Sequence, residues 1–157
     1  MTIGIIGLGI MGGAYGRNLM AAGEAVIGVD PNPTARDRFT AAGGRAEATL
    51  GPWIAECEMV ILSLISPAVL AEVSQNLAGF LQPGQIVLET GTFAMADKLA
   101  AKANIEAGGG VLLDCPISGT GAQAAVGDLV MMASGPSDAV ARVQPILSKV
   151  PRSVIEA

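Results

Sequence analysis

Short apolar runs alternate along the whole chain with segments that mix apolar and polar residues at helical spacing. Thr2 to Gly7 reads as a strand, Ile10 to Ala22 as a helix closed by Gly23, and Ala25 to Val29 as a second strand ending at Asp30. Strand, helix and strand of that length make one right-handed crossover unit. A charged helix over Thr34 to Ala42, a short strand near Arg45 to Glu47 and a helical turn at Trp53 follow. The run Met59 to Ile65 lacks alternation, which predicts a central strand covered on both faces. Ser66-Pro67 suits a helix N-cap with proline at the first helical position, opening a helix that reaches about Ala78.

After a turn at Pro83-Gly84 the pattern repeats, with a strand over Ile86 to Glu89, a helix over Ala94 to Ala107 ended by Gly108-Gly109-Gly110, and a strand over Val111 to Asp114. The small-residue loop Cys115 to Gly121 leads into a helical Ala122 to Val126, then a strand over Leu129 to Ala133 and a last helix from Ser137 to about Lys149. Such alternation predicts an α/β fold: a doubly wound, Rossmann-type, mostly parallel sheet with helices on both faces. Residues 1–157 are expected to form one domain.

Composition agrees with a sheet buried under helices, since 51% of residues are hydrophobic and only 3% aromatic. Nine basic against fourteen acidic residues give a net charge of −5 without a basic stripe, so nucleic acid and anionic membrane surfaces are poor partners. The longest uncharged apolar run, Met59 to Ala71, is interrupted by Ser63, Ser66 and Pro67 and is too short to span a bilayer. Cys57 and Cys115 match neither a metal-ligand spacing nor a disulfide framework. A cytoplasmic protein with packed, reduced thiols and no metal is expected.

The candidate chemistry starts where the first strand stops. Gly7-Leu8-Gly9-Ile10-Met11-Gly12 has the form G-x-G-x-x-G between a strand and a helix, the pattern that seats a dinucleotide's diphosphate on backbone N–H groups at a helix start. Asp30 ends the next strand 18 positions after Gly12, against an expected offset of about 20. Its carboxylate suits the adenine-ribose hydroxyls and repels a 2′-phosphate, which favours NAD over NADP, although Arg36 and Arg38 lie close enough in sequence to hold such a phosphate. Ser118, Gly119, Thr120 and Gly121 follow the carboxyl end of another strand and offer hydroxyls and bare N–H groups for a carboxylate, or simply a cap and a turn.

Gly7 to Gly12, with Asn18-Leu19 and Ala22-Gly23 behind it, resembles the amino-terminal signature of the β-hydroxyacid dehydrogenases. Asp114-Cys115-Pro116-Ile117-Ser118-Gly119 resembles that family's substrate-loop motif D-A-P-V-S-G-G, with Ala122, Ala125, Gly127 and Leu129 fitting its continuation. The resemblance implies a hydride transfer between NAD, or NADP, and a small 3-hydroxy acid. It implies that Leu8, Gly9, Ile10, Met11 and Gly12 line the diphosphate and nicotinamide end, Asp30 the ribose, Leu64 and the loop after it the adjoining wall, and Thr92 the nicotinamide side. Ser118 and Gly119 would hold the substrate carboxylate, beside Thr120, which stands in place of the family's second glycine. Gly91 stands where the family usually has serine.

The family's general acid/base is a lysine on the first long helix of a second, helical domain. No lysine here matches it: Lys98, Lys102 and Lys149 fall on expected helices and read as solvated faces, and the chain has no histidine. The resemblance therefore implies no catalytic residue in this chain, the family lysine and the helical domain lying beyond Ala157, and self-association chiefly through that domain. An imine reductase-type cofactor domain and a non-catalytic dinucleotide-binding module are the alternatives.

Overall fold

The computed structural model describes residues 1–150 and the backbone of 153–156. Six parallel strands form the main sheet: β1 (Thr2–Ile6), β2 (Ala25–Val29), β3 (Arg45–Glu47), β4 (Met59–Leu62), β5 (Ile86–Glu89) and β6 (Val111–Asp114), in the order β3-β2-β1-β4-β5-β6. The chain winds outward from β1 to β3, then returns to β4 on the other side of β1. Strand order reverses there, and in open sheets of this kind the carboxyl ends of the strands part into a crevice at the reversal.

Crossovers place α1 (Ile10–Ala21), α2 (Pro33–Ala41), α3 (Pro67–Leu77) and α4 (Met95–Ala107) over the sheet. Alternate strand residues feed two cores. Ile3, Ile5, Met59, Ile61, Ile86, Leu88 and Leu113 pack with Tyr15 and Leu19 of α1 and Phe39 of α2. Ile6, Val60, Leu62, Val87 and Leu112 pack with Leu70 and Leu77 of α3, Ala101 and Ile105 of α4, and Trp53 of a short 3₁₀ turn. Apolar side chains on both faces explain why these strands read as continuous runs. The doubly wound α/β expectation holds.

Sequence patterning does not foresee a second sheet. The two-residue strand β7 (Ile117–Ser118) pairs antiparallel with β8 (Val130–Ala133), and β8 pairs parallel with β9 (Ser153–Glu156). Between β7 and β8 lies α5 (Gly121–Ala125), and α6 (Ser137–Leu147) follows β8. Met131, Ala133, Val140, Val143 and Ile146 join the core on the α1 side. Among the described residues no helix is long and apolar enough to cross a membrane.

Candidate functional site

At Gly7 the chain leaves β1 at φ +99°, and a Cβ there would collide with the Ser63 carbonyl oxygen that follows β4. Only glycine combines that backbone with that closeness. A Cβ on Gly12 would strike the Gly7 carbonyl oxygen, so the start of α1 presses directly on the turn. Gly9 is the opposite case: a Cβ there would meet nothing within 4 Å. It is the N-cap of α1, no side chain caps that end, and the first turn carries no acidic residue. The leading N–H groups of the helix thus lack an intrahelical partner and present a positive pole.

That pole borders a cavity of about 820 Å³ lined by Gly7, Gly9, Ile10 and Met11 from the turn, Asp30 from the end of β2, and Ser63, Leu64 and Ile65 from the end of β4. Strand β4 stops at Leu62, three residues before the Ile65 that patterning predicts, and the residues released from the ladder form the cavity wall. Ile10 is 76% exposed at the rim of the cavity. Leu8 is buried beneath the turn against Gly28.

Asp30 is tied to the turn itself. Its Oδ2 accepts the Leu8 N–H at 2.9 Å and its Oδ1 the Asn32 N–H at 2.9 Å. The carboxylate is fixed at the rim with lone pairs remaining for a ligand. Arg36 donates to the carbonyls of Asp30 and Pro31 at 2.8 and 2.9 Å. Arg38 lines a separate cavity of about 150 Å³, together with Leu8, Gly9 and Arg17.

Sequence reasoning misses the far wall. Val69, Glu72, Val73 and Asn76 of α3 face the cavity, with Ala48, Thr49 and Leu50 closing it beside Pro31. The one signal available is a second apolar pair, Val69 and Val73, four apart and off the stripe formed by Leu70, Ser74 and Leu77 that packs inward.

The other candidate residues lie outside this cavity lining. Thr92 is exposed just past β5, and Ser118, Gly119 and Thr120 are exposed past β6. Thr120 serves as the N-cap of α5 in a reciprocal capping box: its hydroxyl accepts the Gln123 N–H, and Gln123 Oε1 accepts the Thr120 N–H at 2.8 Å. This accounts for a threonine in place of glycine. Gly121 stands against Ile10, where a Cβ would collide, so this loop abuts the glycine turn.

Lys98 is not on a solvated face. Its side chain is 15% exposed and reaches the carboxylates of Glu89 and Asp114. Burial alone would lower its pKa, but the hydrogen bonds and charge of those carboxylates outweigh burial and hold the ammonium above the ordinary lysine value. Lys102 does behave as expected, exposed and paired with Glu106 one turn on. Burial pushes the Cys115 thiol up to about 12 and the Cys57 thiol up to about 11, so neither is a reactive thiolate at neutral pH.

A glycine turn whose third glycine seals it and whose second faces open space, a helix pole and a fixed acidic rim define a dinucleotide-binding oxidoreductase domain. The chain belongs to the β-hydroxyacid dehydrogenase family as an NAD(P)-binding domain: the family model for the NAD binding domain of 6-phosphogluconate dehydrogenase matches residues 2–157. L-threonate dehydrogenase of Cupriavidus necator is 33% identical over 153 residues, covering 95% of this chain and 51% of that protein. A solved structure of Mycobacterium tuberculosis 3-hydroxyisobutyrate dehydrogenase with L-serine is 30% identical and superposes with a TM-score of 0.94 over 99% of this chain and 53% of that one. The imine reductase of Streptomyces aurantiacus, 22% identical with a TM-score of 0.89 over 100% of this chain and 55% of that one, shares the fold. The chain thus spans about half the length of the relatives it matches.

Proposed function

We propose that this chain is the cofactor-binding part of an NAD(P)-dependent dehydrogenase that oxidises a small 3-hydroxy acid. The observation that carries the reading is the contrast within the glycine turn, sealed at Gly7 and Gly12 and open at Gly9, where a diphosphate's volume is left free beside the helix pole. Family membership implies NAD(P), which when bound accepts a hydride at its nicotinamide ring.

The N–H groups of Gly9, Ile10, Met11 and Gly12 would hold the diphosphate, with Gly7 and Leu8 shaping the turn beneath. Asp30 would accept the ribose hydroxyls, and Leu64 would wall the cavity across from the turn. Asp30's charge opposes a 2′-phosphate, so NAD is the preferred form. With the ribose held at Asp30 and the diphosphate at the glycine turn, the nicotinamide end would fall to Thr92, past the end of β5. Ser118, Gly119 and Thr120 would then hold the substrate carboxylate, Thr120 through its hydroxyl proton, since the capping box uses the hydroxyl oxygen only as an acceptor and already occupies the backbone N–H.

Oxidising the alcohol sends its carbon-bound hydrogen to the nicotinamide as hydride and its hydroxyl proton to a base. We assign that base to a helical domain of the whole enzyme, since Lys98, the lysine nearest the strand ends, is already held by two carboxylates. The two free, buried thiols Cys57 and Cys115 support a reducing compartment such as the cytoplasm for this enzyme.

The test is a titration with NADH and NADPH, repeated on Asp30→Asn. NADH should bind more tightly than NADPH, and the substitution should move that ratio about tenfold towards NADPH, one charge contact being worth roughly 1.4 kcal/mol. Binding of neither dinucleotide at millimolar concentration would sink the cofactor reading. Failure of the full-length enzyme to oxidise any of a panel of small 3-hydroxy acids would sink the substrate class alone.

A further inference from the structure

The crossover from β5 to β6 carries a charged cluster for which the cofactor reading has no use. Glu89 closes β5 and Asp114 closes β6, and the sheet register sets the two directly opposite each other. Like charges so placed repel, and the Glu89 side chain is completely buried. Lys98, from the first turn of α4, reaches between them. Its Nζ lies 3.0 Å from Glu89 Oε2 and donates a hydrogen bond to Asp114 Oδ1.

The pair also grips one residue of the neighbouring turn from both sides. Lys98 Nζ donates to the Gly91 carbonyl oxygen at 2.6 Å, while Glu89 Oε1 accepts the Gly91 N–H at 2.8 Å. Rotating either peptide plane of Gly91 would therefore break a charge-assisted hydrogen bond. A Cβ on Gly91 would come within 2.8 Å of Glu89 Oε1 and 2.5 Å of the Phe93 ring. The carboxylate occupies the room a side chain would need, so glycine at 91 and glutamate at 89 form a matched pair. Thr90, on the other flank, is anchored through its hydroxyl to the Leu62 carbonyl at 2.7 Å. Thr92 leaves directly from this pinned turn. Asp114 meanwhile opens the loop that carries Ser118, and Cys115 N–H bonds back to the Glu89 carbonyl at 2.8 Å.

We propose that Lys98 is a positioning residue: by clamping Gly91 with Glu89 it aims Thr92 at the nicotinamide end of the bound dinucleotide, and through Asp114 it holds the Ser118 loop in step with that turn. This rests on the assignment of the glycine-turn cavity to NAD(P). On that assignment the adenosine and diphosphate would sit in the cavity lined by Asp30 and Gly9, whose lining includes none of these groups, so the cluster would govern only the far half of the ligand.

ADP-ribose, which lacks nicotinamide, separates the two halves. Titrations of wild type and Lys98→Met with NADH, followed by nicotinamide fluorescence, and with ADP-ribose, followed by calorimetry, should show NADH binding weakened about fivefold or more and ADP-ribose binding changed less than twofold. Lys98→Arg should restore most of the NADH affinity. If Lys98→Met fails to fold, Lys98→Met with Glu89→Gln removes the stranded buried charge and carries the same comparison. Equal losses for both ligands, or unchanged NADH binding in a folded variant, would overturn the proposal and leave Lys98 a brace for the fold. Wild type that binds ADP-ribose keeps the cofactor reading standing in either case; wild type that binds neither ligand removes that reading and this inference with it.

Discussion

The two halves of the sheet's carboxyl edge are built by opposite means. Over β1 the site is made by leaving side chains out: Gly7 and Gly12 let backbone touch backbone, and Gly9 leaves a void. Over β5 and β6 the edge is built by adding charge, with Lys98 paired to Glu89 and Asp114, and Glu89 and Lys98 gripping Gly91 from both sides. The first device depends on shape and tolerates no added atom at Gly7 or Gly12. The second depends on electrostatic balance and tolerates no unpaired partner.

The largest effect should come from unbalancing the charged end. Lys98→Met leaves Glu89 buried without its cation and should cost about 3 kcal/mol or more of unfolding free energy in a urea titration. Adding Glu89→Gln should recover part of that loss. A loss below about 1 kcal/mol would mean that water already relaxes the cluster.

The shape-built end should break almost as badly at one glycine and hardly at all at another. Gly12→Ala should destabilise by roughly 3 kcal/mol, because a backbone oxygen cannot move aside as a side chain would. Gly9→Ala should change stability by less than about 0.5 kcal/mol yet weaken dinucleotide binding severely. Equal effects on stability at the two positions would erase the distinction between sealing and cradling glycines.

Alkali should act on the charged end. Cys115, beside Asp114, holds its proton up to about 12 in the fold against a starting value of 9.0, burial being the main cause and the Asp114 charge the next. The fold therefore binds a proton that the unfolded chain releases, and stability falls as pH rises through that window. Between pH 9 and 10 this thiol alone should remove roughly 1 kcal/mol, and Cys115→Ala should flatten the pH slope by about that amount. Lys98 has the same sign, its contribution intact below 10.5 and lost as pH climbs through its raised folded value. A slope indifferent to the substitution would show that the site is wetter than its burial implies. The smallest effect belongs to Lys102, the other lysine of α4: Lys102→Ala should cost no more than about 0.5 kcal/mol, its pairing with Glu106 being solvated.

The same contrast explains what could be read from the sequence. The glycine turn was legible because its requirement is local: spacing within six residues, a strand before, a helix after, and Asp30 at the end of the next strand. The order of elements was legible for the same reason, each apolar run marking a strand covered on both faces. Lys98 was not, because 89, 98 and 114 converge only through the register of β5 against β6, and its four-residue spacing from Lys102 suggests a solvated stripe. The three-stranded sheet escaped notice because β7 has only two residues. The α3 face of the cavity was hidden because Val69 and Val73 look like ordinary core positions.

The reversal between β1 and β4 also has a consequence in time. The glycine turn and Asp30 lie within the first 30 residues, but the wall they face is Ser63 to Ile65, and the carbonyl that presses on Gly7 belongs to Ser63. A growing chain that has emerged only as far as Glu56 holds every residue of the fingerprint and still encloses no cavity. Occupancy by a dinucleotide would therefore report that the second half of the winding has docked on the first, and a nucleotide in solution would act as a latch on completed folding rather than a template for its start.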